Sequence, residues 1–77
     1  MTSEQCRAGR ELLGWNRMRL SVQSKVSPET IRRVELGDPR LTPGPLAAIR
    51  AALEAAGVIF VDENGEGPGV RLKKPQP

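Results

Sequence analysis

The chain has 77 residues, a net charge of +3, one Trp, one Phe, one Cys and no His. A length like this supports one small domain with a thin stability margin. The composition excludes a disulfide framework within the chain and lacks the usual zinc ligands. No run approaches the roughly 20 apolar residues of a membrane span, and no basic-then-apolar leader is visible. With Cys6 read as a core thiol in a reducing setting, a cytoplasmic protein is expected.

The first predicted helix begins at Thr2 or Ser3, where Thr2 and Gln5 have the capping-box form. Cys6, Gly9 and Leu13, with Leu12 beside them, lie on one stripe. Gly9, a poor helix residue, suggests the close approach of another element. Gly14 ends the helix as a left-handed cap. The second helix spans Arg17 to Ser24. Asn16 caps it, and Trp15 and Leu20 flank the cap at the spacing of a hydrophobic staple. Leu20 is its expected buried residue. After a turn at Ser24 and Lys25, Ser27 caps a third helix with Pro28 at its first position, and Val26 and Ile31 form the staple. This helix runs to about Leu36. Ile31 and Val34 face inward, Glu29, Arg32 and Arg33 outward, and Gly37 with Asp38-Pro39 closes it.

A Pro-rich loop, residues 38–45, precedes a fourth helix that starts between Pro43 and Pro45 and runs to Ala56. Leu46, Ile49, Leu53 and Ala56 mark its apolar stripe. The texture then changes. Val58-Ile59-Phe60-Val61 is β-branched and aromatic, Asn64-Gly65 is a turn signal, and Val70-Arg71-Leu72-Lys73 alternates. A hairpin of strands near 58–62 and 69–73 is predicted. An isolated hairpin is marginal in water, so it must pack on the helices or pair with another chain. An exposed edge strand is a pairing template. Val58, Ile59, Phe60, Val61, Val70 and Leu72 are therefore the candidate dimerisation residues. The chain divides into a helix-turn-helix domain, residues 1–57, and a C-terminal β segment with its tail, residues 58–77.

Charge is unevenly spread. Arg17, Arg19, Lys25, Arg32, Arg33 and Arg40 outnumber Glu29, Glu35 and Asp38 in the middle of the chain. Arg71, Lys73 and Lys74 make the tail basic, whereas Arg50 is outnumbered between them by Glu54, Asp62, Glu63 and Glu66. A basic excess on the paired short helices suits a polyanion, although a solvated basic face has the same signature.

Residues 17–37 resemble the helix-turn-helix of the phage-repressor type (lambda-repressor-like, or Xre, regulators). The resemblance rests on Gly14, Leu20, Val26-Ser27, Thr30-Ile31, Glu35-x-Gly37, Pro43 and the Leu46/Ile49/Leu53 helix, and covers about residues 4–57. The segment 48–72 further resembles small bacterial regulators with a β tail after the fourth helix. Three positions depart from the pattern: Arg17 stands for the usual Gln, Ser21 for Ala, and Lys25 for the turn Gly. If position 25 takes a positive φ, Lys there is strained by about 1 kcal/mol.

The resemblance implies a mainly α fold, four helices of the lambda-repressor-like helix-turn-helix kind with a C-terminal β-strand or hairpin. It implies a homodimeric, sequence-specific regulator of transcription, more often a repressor, that binds double-stranded DNA without a cofactor. In that family the third helix enters the major groove and dimers read two half-sites about one DNA turn apart. Ser27, Pro28, Glu29, Thr30, Arg32 and Arg33 are then the DNA-facing residues. Arginine suits guanine O6 and N7, and Glu29 suits cytosine N4. Arg32 and Arg33 are about 100° apart on a helix, so both need not reach bases, and Arg33 is the favoured reader. Ser27 and Thr30 also have purely structural readings, as cap and as core-facing residue. Asn16, Arg17 and Arg40 would hold the backbone, fixing register without carrying direct sequence information. The resemblance also implies a structural ion pair between Arg10 and Glu35.

Catalysis is not expected: there is no His, the Cys has no base partner, and the GEGPG glycines do not sit between a strand and a helix. The competing expectation is an adaptor, or a DNA-binding antitoxin whose C-terminal strand holds a protein partner instead of a second copy.

Overall fold

A computed structural model describes residues 1–61, 65 and 67–73. Four helices precede a two-stranded antiparallel sheet: α1 (Ser3–Leu12), α2 (Arg17–Ser24), α3 (Pro28–Glu35), α4 (Pro43–Ala55), β1 (Val58–Val61) and β2 (Gly69–Leu72). No helix among the described residues is long and apolar enough to cross a membrane.

Local chemistry sets the helix ends. The Thr2 hydroxyl accepts from Gln5 N at 3.0 Å and the Gln5 carbonyl oxygen accepts from Thr2 N at 2.8 Å, a reciprocal capping box. Asn16 Oδ1 accepts from Arg19 N, and Ser27 Oγ from Thr30 N, at 2.8 and 3.2 Å. Gly14 and Gly37 have φ of +68° and +75°. They let Trp15 N reach Arg10 O and Asp38 N reach Arg33 O, so α1 and α3 both end in Schellman motifs. Helix α3 closes one residue earlier than expected, at Glu35.

The end of α2 is different. Lys25 adopts φ 62°, ψ 24°, and is the one described non-glycine residue with positive φ. The left-handed turn that the sequence left conditional is therefore present, with its strain. Lys25→Gly is expected to raise stability by about 0.5–1 kcal/mol, the relieved strain being partly offset by the entropy of a freer unfolded chain. Urea unfolding of the two proteins checks this; equal midpoints would mean that the strain is no larger than the entropic cost of the glycine.

The core gathers Cys6 from α1, Leu20 from α2, Val26 from the turn, Ile31 and Val34 from α3, Ile49, Ala52 and Leu53 from α4, and Val58 from β1. Burial drives the Cys6 thiol up to about 12, with the nearby Glu35 charge adding to the effect, so it is an inert core group. Leu46 packs at the edge of this core, and Ala52 joins Leu53 inside it. Gly9 makes room for a strand as well as a helix: an added Cβ would lie 3.3 Å from Val58 Cγ1 and 3.5 Å from Leu53 Cδ1.

The hairpin pairs Val58 with Leu72, Ile59 with Arg71, Phe60 with Val70 and Val61 with Gly69. Alternation turns Val58, Phe60, Val70 and Leu72 to one face and Ile59 and Arg71 to the other. The first face seats on the helices through Val58, Phe60 and Val70, and Leu72 projects beyond them. Val58 is buried, Phe60 and Val70 pack against the core, and the Arg50 guanidinium from α4 lies 4.9 Å from the Phe60 ring centroid. Gln5 locks the far end, donating from Nε2 to Val61 O at 3.1 Å and to Gly69 O at 3.0 Å. This narrows the expected dimerisation set. Val58 belongs to the chain's own interior and cannot meet a second chain in this conformation, and Phe60 and Val70 are largely committed inward. Ile59 and Leu72 remain exposed and Val61 half-buried. Asn64, the first half of the expected turn signal, lies outside the described residues. Gly65 has φ +100°.

Candidate nucleic-acid interface

Helices α2 and α3 pack on each other with the Lys25 turn between them. Leu20, Val26, Ile31 and Val34 hold the pair against the core. Because Ile31 and Val34 point inward, helical spacing turns residues 29, 32 and 33 outward. Glu29, Arg32 and Arg33 are exposed and Pro28 and Thr30 are half-buried beside them. The structure thus brings Ser27, Pro28, Glu29, Thr30, Arg32 and Arg33 together on one short helix and its cap.

These side chains are already engaged with one another. Arg32 donates to Glu29 through Nε at 3.1 Å and Nη2 at 2.8 Å, and Arg33 Nε stands 3.5 Å from the same carboxylate. The hydrogen bond from Arg32 holds the Glu29 carboxyl below the usual carboxylate range, and the charges of both arginines add to the effect. Ser27 Oγ donates to Thr30 Oγ1 at 2.9 Å while capping the helix. Thr30 is therefore tied to the cap and half-buried rather than part of the core cluster. The three-residue and four-residue spacings behind the Glu29 contacts are legible in sequence.

The backbone-contact candidates are scattered more widely. Asn16 is exposed with its Oδ1 spent on the α2 cap. Arg40 lies in the loop after α3, 83% exposed, and makes two contacts of 3.1 Å to Asp38, whose carboxyl its hydrogen bonds push down to about 2. Arg17 is drawn toward the interior of the fold: its Nε donates to Glu35 Oε1 at 3.2 Å, and its side chain is 42% exposed.

Glu35 is the junction of the unit. Its side chain is 2% exposed and takes Arg10 Nε at 2.8 Å on one oxygen and Arg10 Nη2 at 3.1 Å on the other. Arg10 Nη1 also donates to Trp15 O at 2.9 Å. Burial alone would raise the Glu35 carboxyl. The hydrogen bond and charge of Arg10, followed by those of Arg17, outweigh burial and hold it below its ordinary value. The expected Arg10–Glu35 pair is present, and the extra tie to Arg17 was not foreseen. Nothing local in the sequence connects positions 17 and 35.

A second unforeseen feature is a shallow groove of about 380 Å³ along the outer side of α2, lined by Gly14, Trp15, Asn16, Met18, Arg19 and Val22. Arg19 stacks 5.4 Å from the Trp15 ring centroid, while Met18 and Val22 are 61% and 66% exposed. Of the apolar residues on α2, Leu20 alone is buried.

The arrangement is a small helical domain in which a stapled pair of short helices presents a charged, mutually hydrogen-bonded outer face. No protein-family model matches the chain, and none of the curated proteins matches it significantly.

Proposed function

We propose that the chain is a lambda-repressor-like helix-turn-helix regulator that binds double-stranded DNA sequence-specifically, with α3 in the major groove. The observation that carries this reading is the two-sidedness of α3. Ile31 and Val34 are sunk in the core, 0% and 3% exposed, while Glu29, Arg32 and Arg33 stand outward just after a Ser-Pro helix start. A short helix held rigidly by one face, with arginines on the other, has the geometry that guanine O6 and N7 require of a reader. The basic excess of the middle of the chain favours a polyanion.

Asn16, Arg17 and Arg40 serve the backbone in this reading. Arg17 does so while tethered to Glu35 through Nε, so its reach is restricted and its direction fixed. Two copies read an inverted repeat. The C-terminal hairpin is the pairing element, through Ile59, Leu72 and the strand edges, since Val58 is already used within the chain.

Selection from a random duplex pool at about 150 mM salt, where non-specific phosphate binding is weakened, tests the reading. An inverted repeat with half-sites roughly 10 base pairs apart is expected. A single enriched half-site would remove the dimer from the proposal, and no enrichment would remove sequence-specific binding. On the enriched duplex, Arg33→Ala is expected to cost about 1–3 kcal/mol and to relax the preference at one base pair. An equal loss on every duplex would make Arg33 a phosphate contact.

A further inference from the structure

Glu29 is the one acidic side chain among the outward residues of α3, and it does not stand free. Its two oxygens receive Arg32 through Nε and Nη2, at 3.1 and 2.8 Å, and Arg33 Nε lies 3.5 Å away. All three side chains are about half exposed, so the cluster sits at the surface where a groove would meet it. A carboxylate presents two acceptors side by side to a guanidinium, and so does the major-groove edge of guanine through O6 and N7. In the free protein Glu29 therefore occupies the hydrogen-bonding edge that an arginine would turn to a base.

We propose that Glu29 sets sequence specificity by clamping Arg32 and Arg33, so that a productive DNA contact must exchange the carboxylate for an equivalent pair of acceptors. This rests on the reading of α3 as the recognition helix and adds how its specificity arises. On arbitrary sequence the clamp stays shut: Arg32 gives its hydrogen bonds to Glu29, Arg33 stays ion-paired to the same carboxylate, and the carboxylate repels the phosphates. At a G·C pair in register the exchange is balanced. Guanine takes the arginine fork, and the N4 amine of a cytosine takes the released carboxylate. Glu29 thus weakens binding everywhere except where the exchange can be completed. Its main effect falls on non-specific binding.

The test compares wild type, Glu29→Gln and Glu54→Gln on two duplexes, the one enriched by selection and one of scrambled sequence. The scrambled duplex is followed across a salt series. Glutamine keeps the shape and can still accept from cytosine N4, but it holds the arginines only weakly. Glu54 is an exposed α4 residue, 3.4 Å from Arg50, and reports the effect of removing one negative charge away from the cluster. For Glu29→Gln the scrambled duplex is expected to bind roughly 10-fold more tightly, with the slope of log K against log salt steeper by about 1 to 2. The enriched duplex changes less than about threefold, so discrimination falls by about an order of magnitude. Glu54→Gln leaves discrimination unchanged.

Two results overturn the inference while leaving the recognition-helix reading intact. Equal tightening on both duplexes would make Glu29 a simple charge. Loss on the enriched duplex with no gain on the scrambled one would make it a direct base reader. A wild-type protein with no preference between any two duplexes would overturn the recognition-helix reading and the inference with it.

Discussion

Arg10→Ala is expected to destabilise the fold by about 3 kcal/mol or more. For a domain of this size that lowers Tm by roughly 12–24 °C. The effect exceeds that of an ordinary ion pair because of what remains. Glu35, with its side chain 2% exposed, would keep only Arg17 at 3.2 Å as a charged partner, beside a weak 4.0 Å contact from the Cys6 thiol, and Trp15 O would lose its 2.9 Å donor. Exposed pairs such as Arg7–Glu11, at 4.0 Å and about 60% exposure, contribute at most about 1 kcal/mol. With total stabilities of small domains near 0.05–0.15 kcal/mol per residue, the loss is a large share of the whole.

The pH dependence identifies the cause. In wild type the Glu35 carboxyl is lowered. Its stabilisation is fully present above the unfolded value of about 4.3 and is lost as pH falls through the folded value. In Arg10→Ala the larger of the two arginine contributions that oppose burial is lost, and the folded value rises. The variant is then penalised most at neutral pH and less as acid neutralises the carboxylate. The gap between the two melting curves should narrow as the pH is taken from 7 down past about 4. A gap that stays constant would place the loss in the Trp15 carbonyl and in packing.

Gln5→Glu is the second substitution of large effect, expected to cost about 2–4 kcal/mol. Gln5 is 5% exposed and has every polar atom engaged: Oε1 with Thr2 N, Nε2 with Val61 O and Gly69 O. Glutamate at this position retains the capping box, since it is as good a partner for Thr2. The helix start therefore survives, and only the seat of the hairpin is attacked. A carboxylate oxygen would face two carbonyl oxygens where an amide had donated to both. Hydrogen exchange should show strand amides in β1 and β2 losing protection while those of α3 and α4 keep theirs. Uniform loss would mean that hairpin and helices open as one unit. Burial beside carbonyls raises the introduced carboxyl, so the defect should shrink on acidification, when the protonated form again donates one hydrogen bond.

These two sites also divide what the sequence displays from what it conceals. Thr2, Asn16, Ser27, Gly14 and Gly37 mark helix ends because capping is settled within three or four residues, and the helix bounds follow closely. The strands are displayed in the same way, by β-branched residues and glycines. What is hidden depends on partners far along the chain. Gln5 reads as a cap, and its bonds to residues 61 and 69 cannot be inferred from its neighbours. Gly9 signals a close approach without saying that β1 makes it. The alternation at 58–61 defines two faces, and only the packing on α1 and α4 decides that the Val58 face turns inward, away from a second chain. Arg17 is read as a free cation until the fold brings it to Glu35. The outward face of α3 was legible, because Ile31 and Val34 fix its opposite. The clamp between Glu29 and its arginines was written in their spacing but depends on rotamers that spacing alone does not choose.

As proposed, α3 is the surface offered to DNA. The most direct test is the set of backbone amide and arginine Nε–H NMR shifts on adding the duplex enriched by selection. The largest changes are expected at Ser27 to Arg33, including the side chains of Arg32 and Arg33, with smaller ones near Asn16 and Arg17 and little change in β1. Changes confined to the hairpin, or to the groove around Met18 and Val22, would contradict it.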